Sequence, residues 1–468
     1  MNQRLVKATV KLCATTLLFA CRLSLYAQPS HHALSLQELV ASALKYSPVL
    51  QSRQAYIKSS EQDIISTRNA YLPTAVVGDE ALIASDNSLP GSYLSMGIIP
   101  STSSGIRPDN TAQAASGNFA LFMSQYEIAS FGYKNAQIQN AEAEVSLRNS
   151  DLNRESYLLK WRISKLYFTL LQQQLQQSIE EQNTKRYEDL FAVVRAVSLS
   201  GLKPGADSSQ ALAELSETKV DVNNAVKQTL TLKQELAYLS GIRADSIAID
   251  TSEQQHQQTI TQLLQSGADT TANPLLEYYT AEQQLLQSNE AIVQRSFRPH
   301  LMLTGMAWAR GSSIDANNKF QPLGSVFDNQ RYNYLAGVSL FYNLFSGIQK
   351  KSRLAASRYN SEAGADELEG EKQSLQNINN EAEEAIRIAS ENLAQLPVQL
   401  RAANDAFNQK TAQYKAGISN LVDLTTATYV LYRAQTEYAQ ALNDWFLANV
   451  DKAAVTGRLN LFIQSLNK

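Results

Sequence analysis

Apolar residues recur along most of this chain at three- and four-residue spacing, and alternation replaces that spacing in short stretches. Leu36, Leu39, Val40, Ala43 and Leu44 form a one-sided stripe that predicts a short helix. Ser47-Pro48 breaks it, and Pro48 suits the first turn of a second helix, where its missing donor costs nothing. That helix runs to Leu72-Pro73, where proline and a change of period stop it. From Pro73 to Ser85 and from Gly117 to Ile128 weak alternation predicts strands. Phe119, Leu121 and Met123 share one face, and Ala120, Phe122 and Ser124 the other. The stretch between them, Ser85 to Ser116, is loop by its Ser, Gly, Pro and Asn content. After Phe131-Gly132 a Gln-rich helical pattern with a narrow apolar seam continues to about Leu199. At ~1.5 Å per residue that is roughly 100 Å, a coiled-coil dimension. Gly201 to Gly205 ends it, and Asp207 or Ser208 is placed to cap a return helix to Gly241.

The order then recurs. Pro48, Leu50, Ala55 and Pro73 find Pro274, Leu276, Ala281 and Pro299 at a displacement of 226. Beyond the next loop, Gly201, Asp207, Ala211, Leu215, Ala237 and Gly241 find Gly417, Asp423, Ala427, Leu431, Ala453 and Gly457 at 216. The change falls in the strand-loop-strand region, where length is free to vary. The chain is read as a duplicated unit of helix, two strands and a long helical hairpin. The first repeat is 28–241, with strands at about 73–85 and 117–128 and a tip near 201–207. A polar connector fills 242–272. The second repeat is 273–460, with strands at about 299–310 and 332–343 and a tip near 417–423, and 461–468 is a tail. Pro397 is expected to kink or break the second long helix.

Residues 1–27 read as an export signal, with Arg4, Lys7 and Lys11 ahead of an apolar run and Ala27 before a plausible cut. A second reading of the same segment takes Leu18-Phe19-Ala20-Cys21 as a lipoprotein box that would leave Cys21 lipidated. Both cysteines, Cys13 and Cys21, lie in this segment, so the remainder has no disulfide. Four of the 41 basic residues also lie there with no acid, leaving 37 basic against 44 acidic groups. That balance argues against a nucleic-acid partner.

No later stretch approaches the ~18–20 uninterrupted apolar residues of a membrane helix, so a membrane crossing would have to use strands. In Tyr332 to Asn343, Tyr332, Tyr334, Ala336, Val338, Leu340 and Tyr342 share a face suited to lipid, with Leu335 and Phe341 as exceptions on the other. Strand-on-helix packing is the plainer alternative. Two repeats supply only four strands, whereas small closed barrels need about eight, so strands in lipid would require several chains to share one barrel.

The opening Leu36-Gln37-Glu38-Leu39 through Ser47-Pro48-Val49-Leu50, Leu72-Pro73, Tyr342-Asn343-Leu344-Phe345-Ser346-Gly347, and above all Tyr414 to Asp423 followed by Leu424-Thr425-Thr426-Ala427 resemble the TolC family of outer-membrane efflux channels. The resemblance spans about 36–460. It implies a mainly α fold with a β-barrel portion, in a homotrimer with a twelve-stranded outer-membrane barrel and a twelve-helix periplasmic tunnel. It also implies docking to a periplasmic adaptor and an inner-membrane pump, no cofactor, and a role as a passive exit duct for efflux or type I secretion. A periplasmic coiled-coil scaffold or adaptor without a pore is the alternative.

The resemblance further implies a constriction at the hairpin tips. Tyr414 and Asp207 match a linking tyrosine and aspartate, and Asp423 matches a ring of acids. Gly201, Gly205 and Gly417 mark the turns. Ser419 stands where related channels carry a clamping arginine, and Thr426 where some carry a further aspartate. Asp207 and Asp423 read equally as helix caps, and Tyr414 as a packing residue. His31, His32, His256 and His300 suggest no metal site, and Glu381, Glu383 and Glu384 read as a solvated helix face. No arrangement points to an enzyme.

Overall fold

The computed structural model describes residues 33–85, 87, 109–200, 204–249, 273–315 and 317–466. The export signal with Cys21, the histidines at 31, 32 and 256, Gly201, and the connector from 250 to 272 lie outside them.

Helix α1 (Leu36–Tyr46) begins at a capping box: Glu38 N donates to Ser35 Oγ, and Ser35 N donates to Glu38 Oε2 at 2.9 Å. Helix α2 (Pro48–Asn69) starts on its proline, and α5 (Pro274–Arg295) starts on the matching proline; both span 22 residues. The long helices α3 (Tyr133–Leu199) and α6 (Ser346–Lys415) have 67 and 70 residues, and the return helices α4 (Gly205–Ser240) and α7 (Leu421–Val455) have 36 and 35. Gly241 and Gly457, 216 apart, both stop a helix in the left-handed conformation, at φ 72° and 73°. Pro397 does not break α6, contrary to expectation. The helix is continuous through it, with Ala389, Leu396 and Ala403 buried on either side. Apolar packing over so many turns outweighs the ~3 kcal/mol that an internal proline costs.

Strands β1 (Thr74–Ser85), β2 (Ala114–Ala129), β3 (His300–Ser312) and β4 (Arg331–Phe341) form one antiparallel sheet in sequence order. Directly opposed residues share a face. The rung Val77, Phe122, Ala307, Tyr334 therefore lies on one side, and Val76, Met123, Met306, Leu335 on the other. The first side is open, with Val77 81% and Tyr334 87% exposed; the second holds Leu121, Phe119 and Met306, all buried. Leu335 is apolar on the second side because it continues the Met123–Met306 rung, which accounts for one exception in the strand pattern. Phe341 is likewise opposite His300 at the strand end. Among the described residues β1 and β4 each have a strand partner on one side only.

The chain divides into two compact units that cut across the repeats. One comprises Ser52–Arg154 and Leu275–Glu371, and includes the sheet. Within it α6 approaches α5 closely: a side chain at Gly364 would meet Leu286 Cδ1 at 2.5 Å. Arg154 bonds Asp151 at 2.8 Å and stacks 3.6 Å over the Tyr278 ring.

The other unit comprises the residues up to Gln51, Glu155–Pro274 and Lys372 onward. Its aromatic core stacks Phe168 on Phe446 at 4.4 Å, with Tyr167 and Phe462 edge-on to Phe168. Phe462 belongs to a short helix, α8 (Leu459–Ser465), so the expected tail supplies Phe462, Ile463 and Leu466 to the core. The described part of the connector is not merely polar either. Ile247 and Ile249 are buried, and Leu34 N donates to Ala248 O at 2.7 Å. Asn273 Nδ2 donates to the carbonyls of Ala454 and Val455, satisfying the end of α7.

Candidate functional site at the hairpin tips

The second tip is built by its backbone. Ile418 N donates to Gln413 O at 2.9 Å and Gly417 N to Tyr414 O at 3.0 Å, with Gly417 at φ 76°. This is the paired-bond stop that a left-handed glycine allows. Asn420 then caps α7, its Oδ1 accepting from Asp423 N at 2.8 Å. Asp423 is therefore not the cap that the sequence suggested; it sits in the first turn. There Asp423 Oδ2 accepts from Ser419 Oγ at 3.0 Å and from Lys410 Nζ at 3.4 Å. The serine in the place of the expected arginine thus still holds an acid, from within its own turn.

The first tip differs. Gly201 lies outside the described residues. The N-cap of α4 is Pro204, with no side-chain bond, so neither Asp207 nor Ser208 caps the helix. Proline supplies the extended entry, and Asp207 falls one turn inside, where its charge favours the helix N-terminus. Gly205 is the first helical residue and a side chain there would meet nothing within 4 Å, so no turn geometry demands glycine.

Tyr414 is 7% exposed and packs with Leu190, Val194, Ala211, Leu421 and Leu424. Its hydroxyl is buried without a hydrogen-bond partner. Burial pushes the phenol's pKa up, and the nearby Asp207 carboxylate adds to the shift. The two residues are brought together, but no hydrogen bond joins them within one chain. A cavity of about 330 Å³ opens beside Tyr414, lined also by Arg186, Phe407, Thr411 and Lys415.

Two features escaped the sequence reading. Asn420, three residues before Asp423, is a legible cap signal. Lys410 has no such signal, because only the folded hairpin brings it to Asp423. A buried polar layer further along the unit was also missed. Glu180, 5% exposed, accepts from Tyr432 Oη at 2.7 Å and from Gln176 Nε2 at 2.6 Å, and Arg186 donates to Gln435 Oε1 at 3.0 Å.

Residues 270–458 match the family model for outer membrane efflux proteins. That stretch, the second repeat, is similar to the outer membrane efflux proteins. The chain's fold is similar to that of VceC from Vibrio cholerae, at 14% identity and a TM-score of 0.71, covering 90% of this chain and 96% of that one. CmeC from Campylobacter jejuni gives 13% and 0.70, covering 92% and 89%. The open state of MtrE from Neisseria gonorrhoeae gives 18% and 0.65, covering 91% and 89%. No curated protein matches the chain by sequence. Among the described residues no helix is long and apolar enough to cross a membrane, and no group of three His, Cys, Asp or Glu is placed to hold a metal ion.

Proposed function

We propose that three copies of this chain close one barrel in the outer membrane of a Gram-negative bacterium and continue as a tunnel of helical hairpins in the periplasm. The assembly serves as the exit duct of a tripartite efflux or type I secretion system. The observation that carries this reading is the sheet. Four strands carry an open apolar face, and among the described residues β1 and β4 each have one edge without a strand partner. An unpaired strand edge in lipid leaves backbone groups unsatisfied at several kcal/mol each, and cyclic pairing of β4 with the β1 of the next copy removes every edge. Three copies supply twelve strands, enough to close. Tyr332 and Tyr334 near one end of β4, and Tyr342 just past the other, then stand at the levels where headgroups meet the lipid core.

The helices of each hairpin wall the tunnel, and the tips form its closable end, with Asp207, Tyr414 and Asp423 at the constriction. Opening is passive, driven by partners rather than by chemistry in this chain. Leu199, Ile418 and Val422 are 80%, 78% and 60% exposed at the tips, and they are the surface offered to a periplasmic adaptor that links to an inner-membrane pump. The test is to isolate the outer-membrane fraction, solubilise it in mild detergent and measure mass and single-channel conductance. Detergent-resistant trimers that conduct support the duct. A monomer released from membranes by salt refutes it and leaves the pore-free periplasmic scaffold.

A further inference from the structure

We propose that Lys410 sets the ion selectivity of the tip by neutralising Asp423 from within the same chain, so that the constriction is a paired-charge ring and not a bare acidic one. The proposal rests on the reading above that Asp423 stands at the constriction. Its own evidence is local. Asp423 Oδ2 accepts from Lys410 Nζ at 3.4 Å and from Ser419 Oγ at 3.0 Å, while Asn420 holds the backbone of Asp423 at 2.8 Å. The carboxylate is thus held by two side chains, and its backbone by a third, all from its own hairpin. It also lies in the first turn of α7, where the helix N-terminus adds partial positive charge.

A lone carboxylate attracts cations through the field of a full charge. A carboxylate with an ammonium group 3.4 Å away presents a dipole, whose field falls off faster with distance. Both partners are partly exposed, with side-chain accessibilities of 39% and 44%. The pair therefore contributes little to stability, but its charges face solvent, where permeating ions would feel them. Among the described residues the arrangement belongs to the second hairpin alone. The position matching Lys410 in the first is Val194, which is fully buried, and the position matching Asn420 is Pro204. The departure from an arginine at Ser419 leaves the acid neutralised by a lysine across the hairpin turn.

The test uses the full-length chain reconstituted in planar bilayers, with reversal potential in a KCl gradient and block by La³⁺ as readouts. Lys410→Gln is expected to raise the potassium-to-chloride permeability ratio about threefold and to lower the half-blocking La³⁺ concentration about tenfold, the scale of three charges unmasked in a narrow aqueous site. Lys410→Arg should stay near wild type. Adding Asp423→Asn to Lys410→Gln should erase both gains. If Asp423→Asn alone shifts selectivity but Lys410→Gln does not, Lys410 is overturned while the tip stands as the constriction. If neither shifts it, or the wild-type chain does not conduct, the constriction reading falls together with the proposal. A gain that persists in the double variant also overturns it.

Discussion

Tyr432→Phe probes the buried polar layer with the loss of one oxygen. Tyr432 Oη donates to Glu180 Oε1 at 2.7 Å, and Gln176 Nε2 donates to the same oxygen at 2.6 Å. Glu180 Oε2 is buried without a hydrogen-bond partner. The tyrosine pKa is raised by burial first and then by its bond to the carboxylate, both of which favour the neutral donor. Phenylalanine keeps the ring and leaves the carboxylate with a single donor. A hydrogen bond to a charged group contributes about 1.5–3 kcal/mol, so the substitution should cost that much. Glu180→Leu should cost at least as much, because it strands the Tyr432 hydroxyl and removes a carboxylate whose charge acts on Arg186, whose own pKa is lowered by burial. The two variants combined should lose about 1–2 kcal/mol less than their sum, since they share one bond. Urea unfolding of the solubilised protein measures this, with Trp161 and Trp445 reporting from the same unit. A Tyr432→Phe midpoint within about 0.5 kcal/mol of wild type would mean that water replaces the bond and that the layer bears no load.

Other expectations follow from single contacts. Gly241→Ala meets the Tyr46 ring at 2.5 Å and carries the strain of φ 72°, so it should destabilise by about 2–4 kcal/mol; Gly205→Ala, in open space at a helix start, should stabilise by about 0.5–1 kcal/mol, and thermal unfolding separates the two. Tyr414→Phe removes a buried hydroxyl without a partner, so folding stability should stay within about 0.5 kcal/mol of wild type or rise. Any leakiness it causes would then report a bond made between copies. The Tyr187 pKa is pushed up to about 12, by burial first and then by Glu214. A raised folded value means that stability is fully present below about pH 10 and is lost as pH climbs towards 12. After discounting for partial exposure the loss is at most about 2 kcal/mol, and it should disappear in Tyr187→Phe.

Helix boundaries were legible where a residue acts on its own backbone. Pro48 and Pro274 begin helices because a missing N–H is harmless in a first turn, and Gly417 ends one because only glycine adopts φ 76° without strain. The duplication was legible for the same reason, since such residues keep their spacing while the apolar seam between them drifts. Where several neighbours decide, the sequence misled. Pro397 reads as a break, yet the packing of Leu396 and its neighbours carries α6 through it. Asp207 and Asp423 read as caps, yet Pro204 and Asn420 enter the helices three residues earlier. The Lys410–Asp423 pair and the Glu180–Tyr432 bond join residues 13 and 252 apart, and no local pattern marks such partners.

The duplicated hairpins have come to hold their tips by different means, and the difference locates resistance to their relative motion. At the second tip the polar groups are used within one hairpin: Ser419, Lys410 and Asn420 all bond Asp423. What reaches the first hairpin from there is Tyr414, packed against Leu190, Val194 and Ala211 through apolar surface. Such packing is non-directional, so one helix can shift on another without breaking a specific bond. Nine residues further along α7, ~14 Å at 1.5 Å per residue, Tyr432 and then Gln435 make directional bonds to α3 through Glu180 and Arg186. A small sliding movement stretches those bonds from near 3 Å beyond useful range, leaving Glu180 buried and its neighbours partly buried without them. With a serine in place of the expected arginine, the tip itself holds its partner hairpin loosely. Among the described residues, directional restraint between the two hairpins in one chain therefore begins at the polar layer, away from the tips, and continues along α7 to Asp451, which accepts from Trp161 Nε1 at 2.7 Å and Lys165 Nζ at 3.0 Å.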